Sequence, residues 1–222
     1  MSILKTNLSC FKQNGLYRFD DSLLNIFHQS EKEKKIIEAQ SLERWGNKEL
    51  FDRDRAAISD YVGGLSYRLN YFKYTGSVKP DDLYDDSFYK YMSEELTNAM
   101  DKIPSTEGTF YRQVGFGRTD SDHFNSSIDD FLKFAKLHED NVGGIISYPN
   151  FLSTTLVESS YKTHSPYTGL FMINGKNGKI IDNYSEHRKE YEALFAPNTK
   201  FKVEDFDWVT KNIFASILTE VE

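Results

Sequence analysis

The chain has 222 residues, 39% of them hydrophobic, with 17 Phe and 14 Tyr, enough large apolar side chains for one domain with a real core and a small helical extension. Its 27 Lys and Arg stand against 34 Asp and Glu, a formal net charge of −7, which argues against a general nucleic-acid binder, since that role needs a basic surface to displace counterions. Cys10 is the single cysteine, so an intrachain disulfide and a multi-cysteine zinc site are excluded.

Apolar runs such as Gly169-Leu170-Phe171-Met172-Ile173 fall far short of the ~20 residues of a membrane-spanning helix. The opening Met1 to Cys10 lacks the long apolar stretch of a secretory signal peptide. The first half then reads as helical. Asp21 or Ser22 caps a segment with Leu23, Leu24, Ile26 and Phe27, and a charged run from Glu31 to Lys35 leads into Ile36, Ala39, Leu42 and Trp45. Ile58, Tyr61, Leu65 and Leu69 fall at helical spacing despite Gly63-Gly64. Leu96, Ala99, Met100 and Ile103 follow the same template, and Pro104 ends that helix. A shorter helix is expected from Ser127 to His138, with Ile128, Phe131, Leu132 and Ala135 as its buried stripe.

From Phe110 onward strand signals take over: Thr109 to Val114, Gly144 to Tyr148, Gly169 to Ile173 and Lys179 to Asp182. Asn174-Gly175-Lys176-Asn177-Gly178 reads as a hairpin turn, because Asn-Gly supplies the positive φ values such a turn needs. Tyr191 to Phe195 and Lys200 to Val203 read as another pair around Pro197-Asn198, and Ile213 to Val221 as the closing strand. Helices first and strands later point to an α+β domain.

Several chemistries drop out at once. There is no Walker A sequence and no Gly-x-Ser-x-Gly elbow. His28, His123, His138, His164 and His187 lack metal-ligand spacing, so each reads as a surface or loop residue and no metal is expected. Gly115-Phe116-Gly117-Arg118 reads as a turn. Glu190-Tyr191-Glu192 precedes the apolar Ala193-Leu194-Phe195, and on an extended chain carboxylates at i and i+2 share a face and raise each other's pKa. Taken alone, the pair reads first as two solvated glutamates, and it also fits a glycoside hydrolase, whose carboxylates normally come from separate elements. Phe151-Leu152-Ser153-Thr154-Thr155 places hydroxyls after an apolar strand, where they orient a carboxylate or satisfy backbone groups. Tyr111-Arg112 ends a strand with the side chain best suited to bidentate phosphate contact.

In that order the three pieces resemble the Arg…Ser-Thr-Ser…Glu-x-Glu signature of the bacterial mono-ADP-ribosyltransferase toxins, among them the actin-modifying binary toxins and the Rho-modifying exoenzymes. Tyr184 to Val203 resembles that family's loop, acidic pair and following hairpin, Ala56 to Asn70 its early helix, and Leu96 to Arg112 its helix-then-arginine strand. The similarity covers Trp45 to the C-terminus. It implies an α+β fold of two packed, mostly antiparallel sheets around an NAD cleft, with residues 1–46 as a helical extension and 47–222 as the catalytic domain.

The resemblance also implies roles. Arg112 holds the NAD phosphates, with Gln113, Ser153, Thr154 and Tyr161 as further contacts to the dinucleotide. Ser153 fixes the rotamer of Glu192, which binds the nicotinamide ribose and stabilises its developing positive charge. Glu190, two before Glu192, goes with arginine acceptors. A guanidinium is always protonated and needs a carboxylate to take its proton. Tyr184 is expected to meet the target protein. NAD is then the co-substrate, and the acceptor is an arginine of a host protein, actin or a small GTPase being possible targets. The chain is expected to act as a monomer in the host cytosol after secretion or translocation. Two departures stand out: Thr155 replaces the last Ser, and Gly169 to Ile173 carries no base, the nearest being Lys162. NAD hydrolysis, an inert binding module and a carboxylate-pair glycosidase are the alternatives.

Overall fold

The computed structural model describes residues 50–80, 82–116, 127–156, 165–181 and 191–222. The helices expected between Asp21 and Trp45 lie outside the described residues, as do Cys10, Tyr161, Lys162, Tyr184, Glu190 and four of the five histidines. The order is α1 (Asp52–Asp60), a π-helical turn (Tyr61–Leu65), α2 (Ser66–Thr75), α3 (Asp86–Lys102), β1 (Ser105–Phe116), α4 (Ile128–Asp140), β2 (Ile145–Ser147), β3 (Leu152–Thr155), β4 (Tyr167–Ile180), β5 (Glu192–Phe195), β6 (Lys200–Thr210) and β7 (Ile213–Val221). No described helix is long and apolar enough to cross a membrane.

The helices begin and end where local chemistry dictates. Asp85 caps α3 by accepting the Phe88 N–H at 3.0 Å, and Ile103, forced out of the helical region by Pro104, terminates it in extended backbone. Gly64 interrupts the α1–α2 stripe with a φ of 122°, a conformation that favours glycine, yet Ile58, Tyr61 and Leu69 still face inward. Lys102 to Asp54 at 2.6 Å, and Arg53 to Glu95, tie α1 to α3.

The strands form one seven-stranded sheet in the order β1-β3-β5-β4-β7-β6-β2, with β1 also paired to β4. All pairings are antiparallel except β4 with β7, which keeps the expected α+β, mostly antiparallel character. In place of two separate sheets, the strands form one continuous hydrogen-bonded sheet that runs through β4. The Thr168–Asn174 stretch of β4 pairs with β7, while Lys179 and Ile180 pair with β5. Two apolar cores result. One gathers Phe110, Phe131, Phe171, Phe195 and Phe214 between the sheet and α4; the other packs Ile58, Tyr61, Tyr89 and Leu96 of the helices against Phe151 and Leu194.

Four expectations need correction. The Asn174–Gly178 stretch is no hairpin: Tyr167 to Ile180 is one strand of 14 residues, and the register irregularity against β1 falls there, between Thr106 and Gly108. The Glu220 carboxylate accepts the N–H groups of Lys176 at 2.5 Å and Asn177 at 2.9 Å, satisfying the bulged backbone. The glycines serve close approach rather than positive φ. A Cβ on Gly175 would lie 2.5 Å from Phe195 Cζ, and one on Gly178 would lie closer still to Phe110. Secondly, β5 and β6 do not pair. The Pro197-Asn198 turn carries the chain from between β3 and β4 to between β7 and β2. Thirdly, Ile128 and Leu132 are both 46% exposed, because α4 turns Phe131, Ala135 and His138 inward. Finally, His138 is a fully buried core residue, stacked on Phe171 with ring centroids 4.8 Å apart.

Two outcomes follow from this packing. Gly178→Ala is expected to destabilise the protein by about 1–3 kcal/mol, read from urea unfolding, because the methyl group collides with the Phe110 ring. Burial holds the His138 imidazole neutral, its pKa pushed down to about 3 from 6.5. The unfolded chain therefore binds a proton that the folded chain refuses. Stability is complete above 6.5 and falls as pH drops toward about 3, by at most about 1.4 kcal/mol per pH unit from this group. The slope of urea midpoint against pH should flatten in His138→Gln.

Candidate active site

Glu192 opens β5 and faces Thr155 of β3 in register, with Ser153 one diagonal step away on the same face. The Ser153 hydroxyl donates to Glu192 Oε1 at 2.5 Å, a charge-assisted bond that fixes the carboxylate's rotamer. Thr154 points to the other face and donates to the Ala193 carbonyl at 2.7 Å, a structural bond holding β3 to β5. Sequence reading joins residues 153 and 192 only by resemblance; the register brings them into contact.

Arg112 lies on β1, the neighbour of β3, and its Nη1 donates to the Ser153 carbonyl oxygen. The guanidinium is thus anchored to the backbone of the residue that holds Glu192. Its Nε is enclosed and has no hydrogen-bond partner among the described residues. An enclosed, charged donor of this kind is costly unless an anion completes it. Burial lowers the Arg112 pKa, and Tyr61, Tyr148 and Glu192 oppose that shift. Gln113, half-buried, alternates to the opposite face of β1 from Arg112 and lies across from Leu170.

Tyr191 separates the two glutamates with a φ of 50°. The same-face argument for Glu190 and Glu192 requires an extended chain, and this left-handed residue breaks the alternation, so that derivation does not hold. Glu190, Tyr161 and Tyr184 are outside the described residues.

Two residues missed by motif reading join the helices to the site. Asn70 of α2 accepts the Phe151 N–H at 3.1 Å through Oδ1 and donates through Nδ2 to the Tyr61 hydroxyl at 3.1 Å. Tyr61, buried against Phe151 at 5.8 Å, has its pKa raised, first by burial and then by the charge of Glu192. Only the placement of both residues on one early helical segment was visible in sequence. The pairing of residue 70 with residue 151 is long-range and left no local signal.

Solved structures share this architecture. Vis, an ADP-ribosyltransferase toxin from Vibrio splendidus solved in complex with agmatine, superposes with a TM-score of 0.63 at 19% identity, over 88% of this chain and 87% of that one. The Clostridium limosum C3 exoenzyme gives 0.63 at 16% identity, over 85% and 94% of the two chains. These likenesses define the fold as that of the ADP-ribosyltransferase toxins. The chain belongs to the ADP-ribosyltransferase exoenzyme family, whose profile matches residues 27–221. A curated relative, the NAD(+)--protein-arginine ADP-ribosyltransferase Tre1 of Serratia proteamaculans (strain 568), is 32% identical over 110 residues. That stretch makes up 49% of this chain and 20% of the relative.

Asn70→Ala removes a buried acceptor and a buried donor together. It should cost about 1–3 kcal/mol of stability, checked by urea unfolding, because the Phe151 N–H and the Tyr61 hydroxyl lose their partner.

Proposed function

We propose that the chain is an NAD-dependent mono-ADP-ribosyltransferase that transfers ADP-ribose to an arginine of a host-cell protein and releases nicotinamide. The observation that carries the reading is the Ser153–Glu192 hydrogen bond of 2.5 Å, set beside an enclosed Arg112 whose Nε lacks a partner among the described residues. The orphaned cationic donor fits a phosphate of NAD, and the serine-held carboxylate fits the ribose next to it. Residues 47–222 form the catalytic domain in this reading, with residues 1–46 as an extension. Actin and small GTPases are the candidate targets, reached in the host cytosol by secretion or translocation.

The chemistry follows from charge. As the bond between nicotinamide and the ribose C1′ breaks, its electron pair leaves with neutral nicotinamide and positive charge grows on the sugar. Glu192, already oriented, stabilises that charge without reorganising. A guanidinium nitrogen of the acceptor then forms the new bond to C1′, and Glu190 takes the proton it sheds. The activity of Tre1 on protein arginine and the agmatine bound to Vis, itself a guanidinium compound, support the acceptor class.

Incubation with labelled NAD and agmatine, followed by mass spectrometry of the products, tests the reading. Nicotinamide release and ADP-ribosyl-agmatine are both expected. Glu192→Ala should lower both by on the order of 10²–10³-fold. Glu190→Ala should lose transfer while keeping most of the NAD hydrolysis. Transfer surviving in Glu190→Ala would overturn the acceptor assignment. Release of nicotinamide with no adduct in the native chain would make it an NAD glycohydrolase, and indifference to NAD would sink the proposal.

A further inference from the structure

Glu192 is the first residue of a strand only four residues long, and a strand frays most readily at its ends. What holds it in place begins one residue earlier. The Tyr191 carbonyl accepts the Leu156 N–H at 3.0 Å, which carries the β3–β5 ladder one step past its last pair, Thr155 with Glu192. On the other side the Glu192 carbonyl accepts the Ile181 N–H at 2.9 Å. The backbone that carries the carboxylate is thus bonded to the chain on both flanks.

These bonds require a strained backbone. The Tyr191 φ of 50° lies in the left-handed region, where an L side chain crowds its own main chain and a bulky aromatic is rarely found. Such a conformation persists only where its surroundings over-determine it. The ring supplies the holding contact. Half-buried, it packs against the aromatic core under α4, the core that also takes Ala193 and Phe195 of β5. Leu194, which shares a face with Glu192, enters the core under the helices instead. Ring and carboxylate therefore leave the chain on opposite sides, and fixing the ring fixes the face on which the carboxylate emerges. In the sequence Tyr191 is only the spacer between two glutamates, and the proposed chemistry does not use it.

We propose that Tyr191 is a positioning residue for Glu192: its ring, packed on the core under α4, holds the left-handed residue that opens β5 and so keeps the carboxylate within reach of the Ser153 hydroxyl. The inference rests on the reading of Glu192 as the group that stabilises the ribose cation. Loss of the ring lets the start of β5 loosen, and the carboxylate then spends less time at the Ser153 bond. The penalty falls on bond breaking, while Arg112 still holds the dinucleotide. It should therefore appear in kcat and leave KM for NAD nearly untouched.

Steady-state NAD glycohydrolysis and urea unfolding of the full chain separate the outcomes, using Tyr191→Phe, Tyr191→Ala, Tyr191→Gly and Glu192→Ala. Tyr191→Phe keeps the ring and should hold kcat and KM within about twofold of the native chain. Tyr191→Ala is expected to lower kcat about ten- to a hundredfold with KM within about twofold. Tyr191→Gly also lacks the ring but adopts a positive φ without strain, so its urea midpoint should exceed that of Tyr191→Ala while kcat stays as low. A merely structural role would bring kcat back together with stability, so native kcat in Tyr191→Gly overturns the proposal. A loss in Tyr191→Phe equal to that in Tyr191→Ala also overturns it, since the hydroxyl and not the ring would then matter. So does a change confined to KM. If Tyr191→Ala fails to fold, Tyr191→Gly decides alone by the same criterion. Nicotinamide release undiminished in Glu192→Ala overturns the reading of Glu192 and this inference with it, whereas a loss there beside unchanged kcat in Tyr191→Ala overturns the positioning role alone.

Discussion

Glu192 is useful only if β5 keeps its register, because a slip of one residue would turn every side chain of that strand to the opposite face. The strand is four residues long and is held from both sides, by β3 and by the end of β4. Its side chains also lock it against slippage. Ala193 and Phe195 are buried in the core under α4, while Leu194 is buried in the core under the helices. Glu192 shares a face with Leu194, and across the strand pair Ser153 shares a face with Phe151. The hydroxyl-to-carboxylate bond is thus a product of two apolar cores meeting at one short strand.

The helices contribute to the site through the same face. Asn70 pins the backbone at Phe151, at the entrance to β3, and holds the hydroxyl of Tyr61, which feels the charge of Glu192. Helix and strand are therefore joined by directed polar bonds as well as by packing. Buried polar groups of this kind specify one arrangement, since any other leaves a donor or acceptor without a partner. Arg112 follows the same logic from the other core, with its Nη1 satisfied by Ser153 and its Nε enclosed.

Elements whose signals are local were legible in the sequence. Ile213 to Val221 is the closing strand as read, Pro104 marks the end of α3, and Ser127 caps α4 by accepting the Asp130 N–H at 3.1 Å. The misreadings share a physical origin. Helical periodicity at Ile128, Phe131, Leu132 and Ala135 identified a helix, but only the surrounding aromatics decide that Phe131 and Ala135 face inward. The Asn-Gly pairs of β4 resemble a turn because glycine permits positive φ, whereas here it makes room for Phe110 and Phe195. His138 looked like a surface residue because nothing local betrays a tyrosine ten positions on and a serine on β7 as its partners. The Ser153 and Glu192 constellation was readable through the order of its motifs, and Asn70 and Tyr61 were not, since their contacts are made by the fold.

The long pairing of β1 with β4 carries a kinetic consequence. Among the described strands, β6 and β7 form the one pair joined by a short turn, while β1 finds β4 only after α4, β2 and β3 have intervened. Closing such wide loops costs chain entropy before any contact returns it, so this topology belongs with the slow folders of high contact order. Until β4 docks, β5 has only one of its two neighbours and the carboxylate of Glu192 has no fixed place. The Ser153–Glu192 hydrogen bond should therefore form as one of the last events of folding, in step with sheet closure.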